Sequence, residues 1–428
     1  MTSIRERSKR RIISILRKLE VYTRTDNVYL TKNTTLLFLI WSIGVLNGFV
    51  LYILISRILP KDVYGQYKYF LSLFSLFSVT TFTGVEAAVT RAVANGNDGA
   101  VKAGFRRKLL GGMVGSVITL CIAGYYALNG RTDLAIALSL MAVFAPWIYA
   151  ANVYGSTYTG KKLFKNYTRT NIITSLLAFI GMVFAFIFIR DPVWLFAAFL
   201  FTSLTTVIAY AFALRTVTNN RVGDDTLSFA THLTKLDILG TIANNIDSIL
   251  VFHFLGAASL AVYSFAIIPV EQMKGLLKSF QGIALPKFAT SSLRSMQSTI
   301  GRKVALFMIM ITLLMGIYIL LAPPFFRIFF PAYVSAVPLS QVYSLSLIFA
   351  MPASLFMTLF IAKGLKKETT QFNVANYTIQ ILLLVIGAWK FGLWGVIVAR
   401  MVSRTLMFFT AHTILHRAKT PLDQATDI

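Results

Sequence analysis

Residues 34–57 read TTLLFLIWSIGVLNGFVLYILISR, and no charged side chain occurs before Arg57 closes the run. Apolar residues occupy every side of a 3.6-residue turn, so a helix here has no polar face to offer water. At 1.5 Å per residue the uncharged part spans about 35 Å, enough to cross a bilayer's hydrocarbon. Eleven more segments of this kind follow. The twelve run approximately 34–57, 69–94, 109–128, 134–154, 171–189, 193–214, 236–255, 259–283, 304–322, 338–362, 372–389 and 392–412. They are far too long for barrel strands, and only closed backbone hydrogen bonding survives in lipid, so each is expected to be a helix. Composition agrees: 56% of the 428 residues are hydrophobic and 13% charged, against roughly a quarter charged in soluble chains.

The formal charge is +25, from 41 Lys and Arg against 16 Asp and Glu. Twenty-nine of those cations lie on the N-terminal tail and every second loop, and seven on the opposite loops, counting Arg57 at the edge of the first span among them. Five lie inside spans: Arg91, Lys274, Lys278, Arg400 and Arg404. By the positive-inside rule both termini are cytoplasmic, and the charge faces anionic lipid rather than nucleic acid. The single Cys121 excludes an intrachain disulfide, and His232, His253, His412 and His416 have no metal-ligand spacing. No metal or other cofactor is implied. Residues 1–33 are too long and basic for a cleavable signal. They read either as an amphipathic helix on the cytoplasmic leaflet or as a disordered basic tail.

No connection exceeds about twenty residues, and there is no GxxxxGK[ST] loop, GxSxG elbow or paired loop carboxylates. A membrane enzyme of polysaccharide assembly would need an extramembrane platform. Function is therefore expected inside the bundle, as transport and not enzymatic catalysis. The order of spans also repeats. Leu59 to Tyr67 joins spans 1 and 2, and Leu255 to Tyr263 joins spans 7 and 8, an offset of 196 residues. Asn166-Tyr167-Thr168 and Asn376-Tyr377-Thr378 give a second echo. The expected organisation is a basic segment 1–33, an N-lobe 34–214, a linker 215–235, a C-lobe 236–412 and a tail 413–428, with substrate between the lobes.

These same stretches carry a resemblance. Leu59-Pro-Lys-Asp-Val-Tyr-Gly-Gln-Tyr67 and Ala92-Val-Ala-Asn-Gly96 resemble the start of polysaccharide-biosynthesis flippases. Asn244-Asn-Ile-Asp247, Leu255-Gly256, Tyr263-Ser264, Phe330-Pro-Ala-Tyr333 and Ala362-Lys-Gly364 resemble their second half. The chain looks like the Wzx (O-antigen) branch of the multidrug/oligosaccharidyl-lipid/polysaccharide exporter superfamily. That resemblance implies an all-α polytopic fold, with twelve transmembrane helices in two six-helix lobes around a central cavity. It also implies translocation of undecaprenyl-pyrophosphate-linked oligosaccharide across the inner membrane, alongside polysaccharide assembly proteins. The related lipid II flippase usually carries two further C-terminal helices, which are not expected here.

Charges deep in the spans are the candidate site. Counted from the span ends, Glu271 lies about 17 Å down span 8, Lys274 one turn deeper, and Arg400 and Arg404 about 10 and 17 Å down span 12. Asp247 falls near the middle of span 7. A diphosphate cannot cross hydrocarbon bare, and Arg and Lys are the groups that meet phosphate oxygens. Arg400, Arg404 and Lys274, with Lys278 and Arg91 nearer span ends, are the expected cationic cavity. Asp247, Glu271 and Glu86 read either as ion-pair partners in a buried network or as a site for a coupling H⁺ or Na⁺. Pro146, Pro269 and Pro352 interrupt spans 4, 8 and 10 and are expected hinges for alternating access. The rival reading is a cation-coupled drug exporter of the same superfamily.

Overall fold

The structure is a computed structural model. It describes residues 27–417 apart from 224–225 and 291–292, with side chains at all of these except 27–32, 227, 232, 236, 278–299 and 366. The basic segment 1–33 and the tail 413–428 lie almost wholly outside the described residues. Among those residues the regular elements are all helical. In chain order they are α1 (Asn27–Ile58), α2 (Lys61–Phe77), α3 (Val85–Ala94), α4 (Ala100–Leu128), α5 (Thr132–Ala151), α6 (Val153–Gly160), α7 (Phe164–Phe188) and α8 (Pro192–Ser203). Then come α9 (Thr205–Leu214), α10 (Thr226–Leu255), α11 (Ala257–Thr290), α12 (Leu293–Phe329), α13 (Val337–Leu345), α14 (Leu347–Ala362) and α15 (Lys366–Arg417), with short 3₁₀ turns at Ser78–Thr81 and Pro331–Ala336.

Nine described helices are long and apolar enough to cross a membrane, or eleven if two bent pairs each count as one span. The pairs are Lys61–Thr81 with Val85–Ala94, bent by 52°, and Pro331–Leu345 with Leu347–Ala362, bent by 42°. The expected count of twelve is reached only by also dividing α15. As one rod its 52 residues would run about 78 Å. It breaks at Gly392, whose φ of 61° and ψ of −145° belong to a region open only to glycine. Across the break a Cβ on Gly395 would stand 2.1 Å from the Gly387 carbonyl oxygen, so the two arms fold back against each other there.

Several ends differ from the apolar pattern, for a physical reason. Helix α2 starts at Lys61, eight residues before the expected boundary, because Pro60 presets the turn and Asp62 suits a helix N-terminus. Its charged first turns dilute the hydropathy without breaking the helix. Likewise α10 begins at Thr226 inside the expected linker, and α11 and α12 continue to Thr290 and from Leu293 through what composition suggested was a loop. Helices end where the backbone is capped or broken, not where the bilayer ends.

The exterior is apolar. On α4, Leu110, Val114, Val117 and Ile118 are exposed, while Gly104, Gly111, Gly112 and Gly115 are buried against neighbouring helices. Large residues facing outward and small ones facing inward is the pattern of a helix in lipid. Within the bundle α1 packs on α7, α4 on α5, α10 on α15 and α11 on α14. Helix α2 packs against both α10 and α11, bringing the first half of the chain against the second. Gly65 permits this: a Cβ there would lie 1.9 Å from the Ala257 carbonyl oxygen. The two echoed stretches, Leu59–Tyr67 and Leu255–Tyr263, therefore meet face to face.

Candidate functional site

The second half of the chain holds a polar cluster built from four helices. Asp247 of α10 is 2% exposed, and its Oδ2 accepts from Arg400 Nη2 of α15 at 2.5 Å and from the Tyr263 hydroxyl of α11 at 2.5 Å. Two turns deeper, Glu271 Oε1 accepts from Arg404 Nη2 and from the Tyr343 hydroxyl. Arg404 Nη1 donates to Ser346 Oγ at 2.7 Å, at the bend between α13 and α14, and its guanidinium sits 4.7 Å from the Tyr343 ring centre. Lys274 Nζ donates to Glu271 Oε2 at 3.0 Å. The spacing of 271 and 274, and of 400 and 404, puts each pair on one helix face, which is why four residues from two helices converge.

The two halves of the cluster differ in charge. Asp247 and Arg400 neutralise one another in a dry setting. Glu271 faces two cations, Arg404 and Lys274, so this half carries an excess of one positive charge. It is also the more open half, with side-chain exposures of 32% for Glu271 and 37% for Lys274. Arg404 is 8% exposed. Buried ion pairs are poor stabilisers, because desolvation offsets attraction. Two unfilled valences stand out beside them: Asp247 Oδ1 and Arg400 Nε are buried with no hydrogen-bond partner.

An apolar cleft of about 500 Å³ lies on the neighbouring face of α11. Val45, Phe49 and Tyr52 of α1, Pro269, Gln272 and Met273 of α11, and Leu314, Tyr318 and Phe325 of α12 line it. Consecutive residues on a helix point about 100° apart. Glu271 and Lys274 thus face the ion cluster while Gln272 and Met273 face the cleft. A polar cluster and an apolar cleft thus share a single helix as their wall. A second cavity, of about 370 Å³, lies in the first half among α1, α2, α7 and α8; Asn47, Lys68, Ser175, Thr202 and Ser203 give it polar walls.

The other sequence candidates sit apart from the cluster. Glu86 is bound to Lys108 at 2.5 Å, and Lys108 is buried although the sequence count assigned it to a loop. Arg91 is exposed, stacked 4.9 Å from the Phe229 ring centre beside a small cleft with Asn95 and Asn97. The Lys278 side chain lies outside the described residues. Pro146 and Pro352 lie within continuous helix, and Pro269 lies on the wall of the apolar cleft in α11. Sharp bends between consecutive helices fall at 78–84 and at Ser346, which Arg404 holds. Lys68 was counted with the 58–68 loop by composition; Pro60 as a helix start was the signal that would have placed it inside α2.

The two ends are held together differently. At the Pro60 end, Ser56 Oγ donates to the Phe329 carbonyl and Arg57 Nη2 to the Ile328 carbonyl, each at 3.0 Å. Tyr69 stacks on Phe252 at 3.9 Å, and Phe265 on Tyr333 at 3.7 Å. At the opposite end Asp98 is a hub. It accepts from Lys161 Nζ at 2.5 Å and from the Thr218 amide and hydroxyl at 2.7 Å. Burial alone would raise its carboxyl pKa, but these hydrogen bonds outweigh burial and hold it below the usual value.

Fold and site together define a multi-pass helical membrane protein, and its architecture is that of transporters of the MOP superfamily. It superposes on an inward-facing multidrug resistance MATE family transporter of that superfamily with a TM-score of 0.63 at 14% identity, covering 88% of this chain and 96% of the other. The lipid II flippase MurJ, in an inward closed conformation, gives 0.61 at 14% identity over 92% and 88%. A MOP superfamily transporter from Pyrococcus furiosus gives 0.55 at 15% identity over 91% and 95%. Residues 30–292 match the family model for polysaccharide biosynthesis proteins, and the chain belongs to that family. No curated protein sequence matches it.

Proposed function

We propose that this protein is a flippase that moves an undecaprenyl-pyrophosphate-linked oligosaccharide across the cytoplasmic membrane by alternating access. One observation carries the reading: α11 separates a cationic cluster from an apolar cleft. A passenger with a diphosphate head and an isoprenoid tail needs those two environments side by side. The head would meet Lys274 and Arg404, drawing on the excess charge beside Glu271, while the tail lies between α1, α11 and α12 and stays in contact with lipid. Membership of the polysaccharide biosynthesis family supports a sugar-bearing passenger.

In this reading the helices of 34–214 and 236–412 are the two rocking lobes, both termini are cytoplasmic, and the Pro60 end faces outward. The closed Pro60 end then corresponds to an outward-sealed state. Flux of radiolabelled lipid-linked oligosaccharide into proteoliposomes tests it. Lys274→Ala and Arg404→Ala should abolish the flux in protein that still runs as a single folded species. Unchanged flux would refute the cationic site.

Asp247 Oδ1 favours a second reading, a cation-coupled exporter. A buried carboxylate oxygen without a hydrogen-bond donor is where H⁺ or Na⁺ would bind. Drug efflux driven by a pH or Na⁺ gradient and lost in Asp247→Asn, without any oligosaccharide flux, would establish that alternative.

A further inference from the structure

Lys68 is the charge that the site described above does not use. It lies in α2, and no carboxylate among the described residues is within ion-pair distance of it. Asp247, across the boundary with α10, is the acidic group whose charge reaches it, and that carboxylate is already engaged by Arg400. An ammonium in the bundle without a counter-charge is costly and needs an explanation.

Snorkelling does not supply one. Lys68 is seven residues, about 10 Å, below the start of α2. The route to that end is blocked by Tyr64, whose ring packs 5.3 Å from Phe265, and by Gly65 against Ala257. Lys68 instead lines the 370 Å³ cavity. Asn47 lines the same cavity. A lysine without a paired carboxylate and an amide lining one chamber offer donors to an anion.

The depths fit a sequence of stations. Counted from the Pro60 end, Lys68, Asp247 and Arg400 all lie about 10–12 Å down their helices, while Arg404, Glu271 and Lys274 lie about 18–26 Å down. Each layer holds two cations and one carboxylate, an excess of one positive charge in each. The two excesses together equal the charge of a diphosphate diester. One is supplied by the second half of the chain and the other by the first.

We propose that Lys68, assisted by Asn47, is a second anion-binding station, which receives the diphosphate from Lys274 and Arg404 as it moves toward the Pro60 end. This rests on the flippase reading and deepens it: the head group would be handed from a cation of one lobe to a cation of the other.

Binding of farnesyl diphosphate, farnesyl monophosphate and inorganic pyrophosphate to the full chain in nanodiscs tests this. Lys68→Gln should weaken farnesyl diphosphate by about ten-fold or more and the monophosphate by less, as expected for one lost charged hydrogen bond. Lys68→Arg should keep most of the affinity. A merely structural lysine would change both ligands alike. Equal affinity for farnesyl diphosphate in Lys68→Gln and wild type, with loss only in Lys274→Ala, would overturn the second station and leave the flippase reading standing. Absence of binding to the wild type would overturn both. Pyrophosphate binding as tightly as farnesyl diphosphate, with the same Lys68 dependence, would support the station and overturn the lipid-linked passenger.

Discussion

Replacing Asp247 by Leu should destabilise the protein far more than replacing Asp247 and Arg400 together. The pair is buried on both sides, 2% and 11% exposed, so neither charge has water to fall back on. Asp247→Leu leaves the guanidinium unpaired, and Arg400→Leu leaves the carboxylate with only the Tyr263 hydroxyl; each should cost about 3–5 kcal/mol. In the double variant neither charge of the pair remains. Its expected cost is about 1–3 kcal/mol, because the buried Tyr263 hydroxyl has lost its acceptor. The coupling energy is then at least about 3 kcal/mol. Adding Tyr263→Phe should bring the triple variant close to wild type. Equilibrium unfolding in mixed micelles, followed by circular dichroism, measures each corner. Additive single effects, or a double variant as unstable as the sum of the singles, would refute the claim that the two charges compensate one another in a dry interior.

Two further outcomes follow from geometry elsewhere. The Asp98 carboxyl has a depressed pKa in the folded state, so the stability it lends is present above the ordinary carboxylate range and is lost as pH falls through its lowered value. Hydrogen exchange over residues 216–221 should therefore quicken in Asp98→Asn at neutral pH, and in wild type only on acidification below about pH 4; equal protection in Asp98→Asn would contradict this. Gly392→Ala forces a Cβ onto a glycine-only conformation and should cost about 1–3 kcal/mol in the same unfolding assay, and a neutral result would mean that α15 is not broken there.

Much of the fold was legible because lipid leaves so few alternatives. A run such as 34–57 can satisfy its backbone only as a helix, and α1 appears over Asn27–Ile58. What hydropathy could not place were the ends. Lys61 to Lys68 and Thr226 to Lys235 are too polar to score as membrane, yet a helix tolerates polar residues wherever one face is packed or wet. Residue 108 was misplaced for the same reason, since its burial depends on Glu86, a partner 22 positions away. The site was half legible. Spacing put Glu271 beside Lys274 and Arg400 beside Arg404, but it could not say which cation meets which carboxylate. The partners Tyr263, Tyr343 and Ser346 carry no charge to draw attention to them.

If the flippase reading holds, the pairing of these charges bears directly on how such a protein holds cations deep in a membrane between cycles. Unpaired, Arg400 and Arg404 would be prohibitive; fully paired, they would have nothing to offer an anion. The arrangement lies between the two. Arg400 is closed on Asp247 and ties α15 to α10. Arg404 is closed on Glu271 and the α13–α14 bend, but Glu271 must also serve Lys274. On the proposed flippase reading, an arriving diphosphate would take Lys274, and share Arg404, without stripping any carboxylate of its last cation. The exchange replaces one charged hydrogen bond of Lys274 by another, so the cation itself is never left bare. Removing Glu271 would then be expected to strengthen anion binding while slowing release. Glu271→Gln should bind farnesyl diphosphate about ten-fold more tightly yet support less flux, the gain being of the size of one charged hydrogen bond. If Glu271→Gln bound more weakly, the carboxylate would be a positioning group for Lys274 and Arg404 and not a competitor for them.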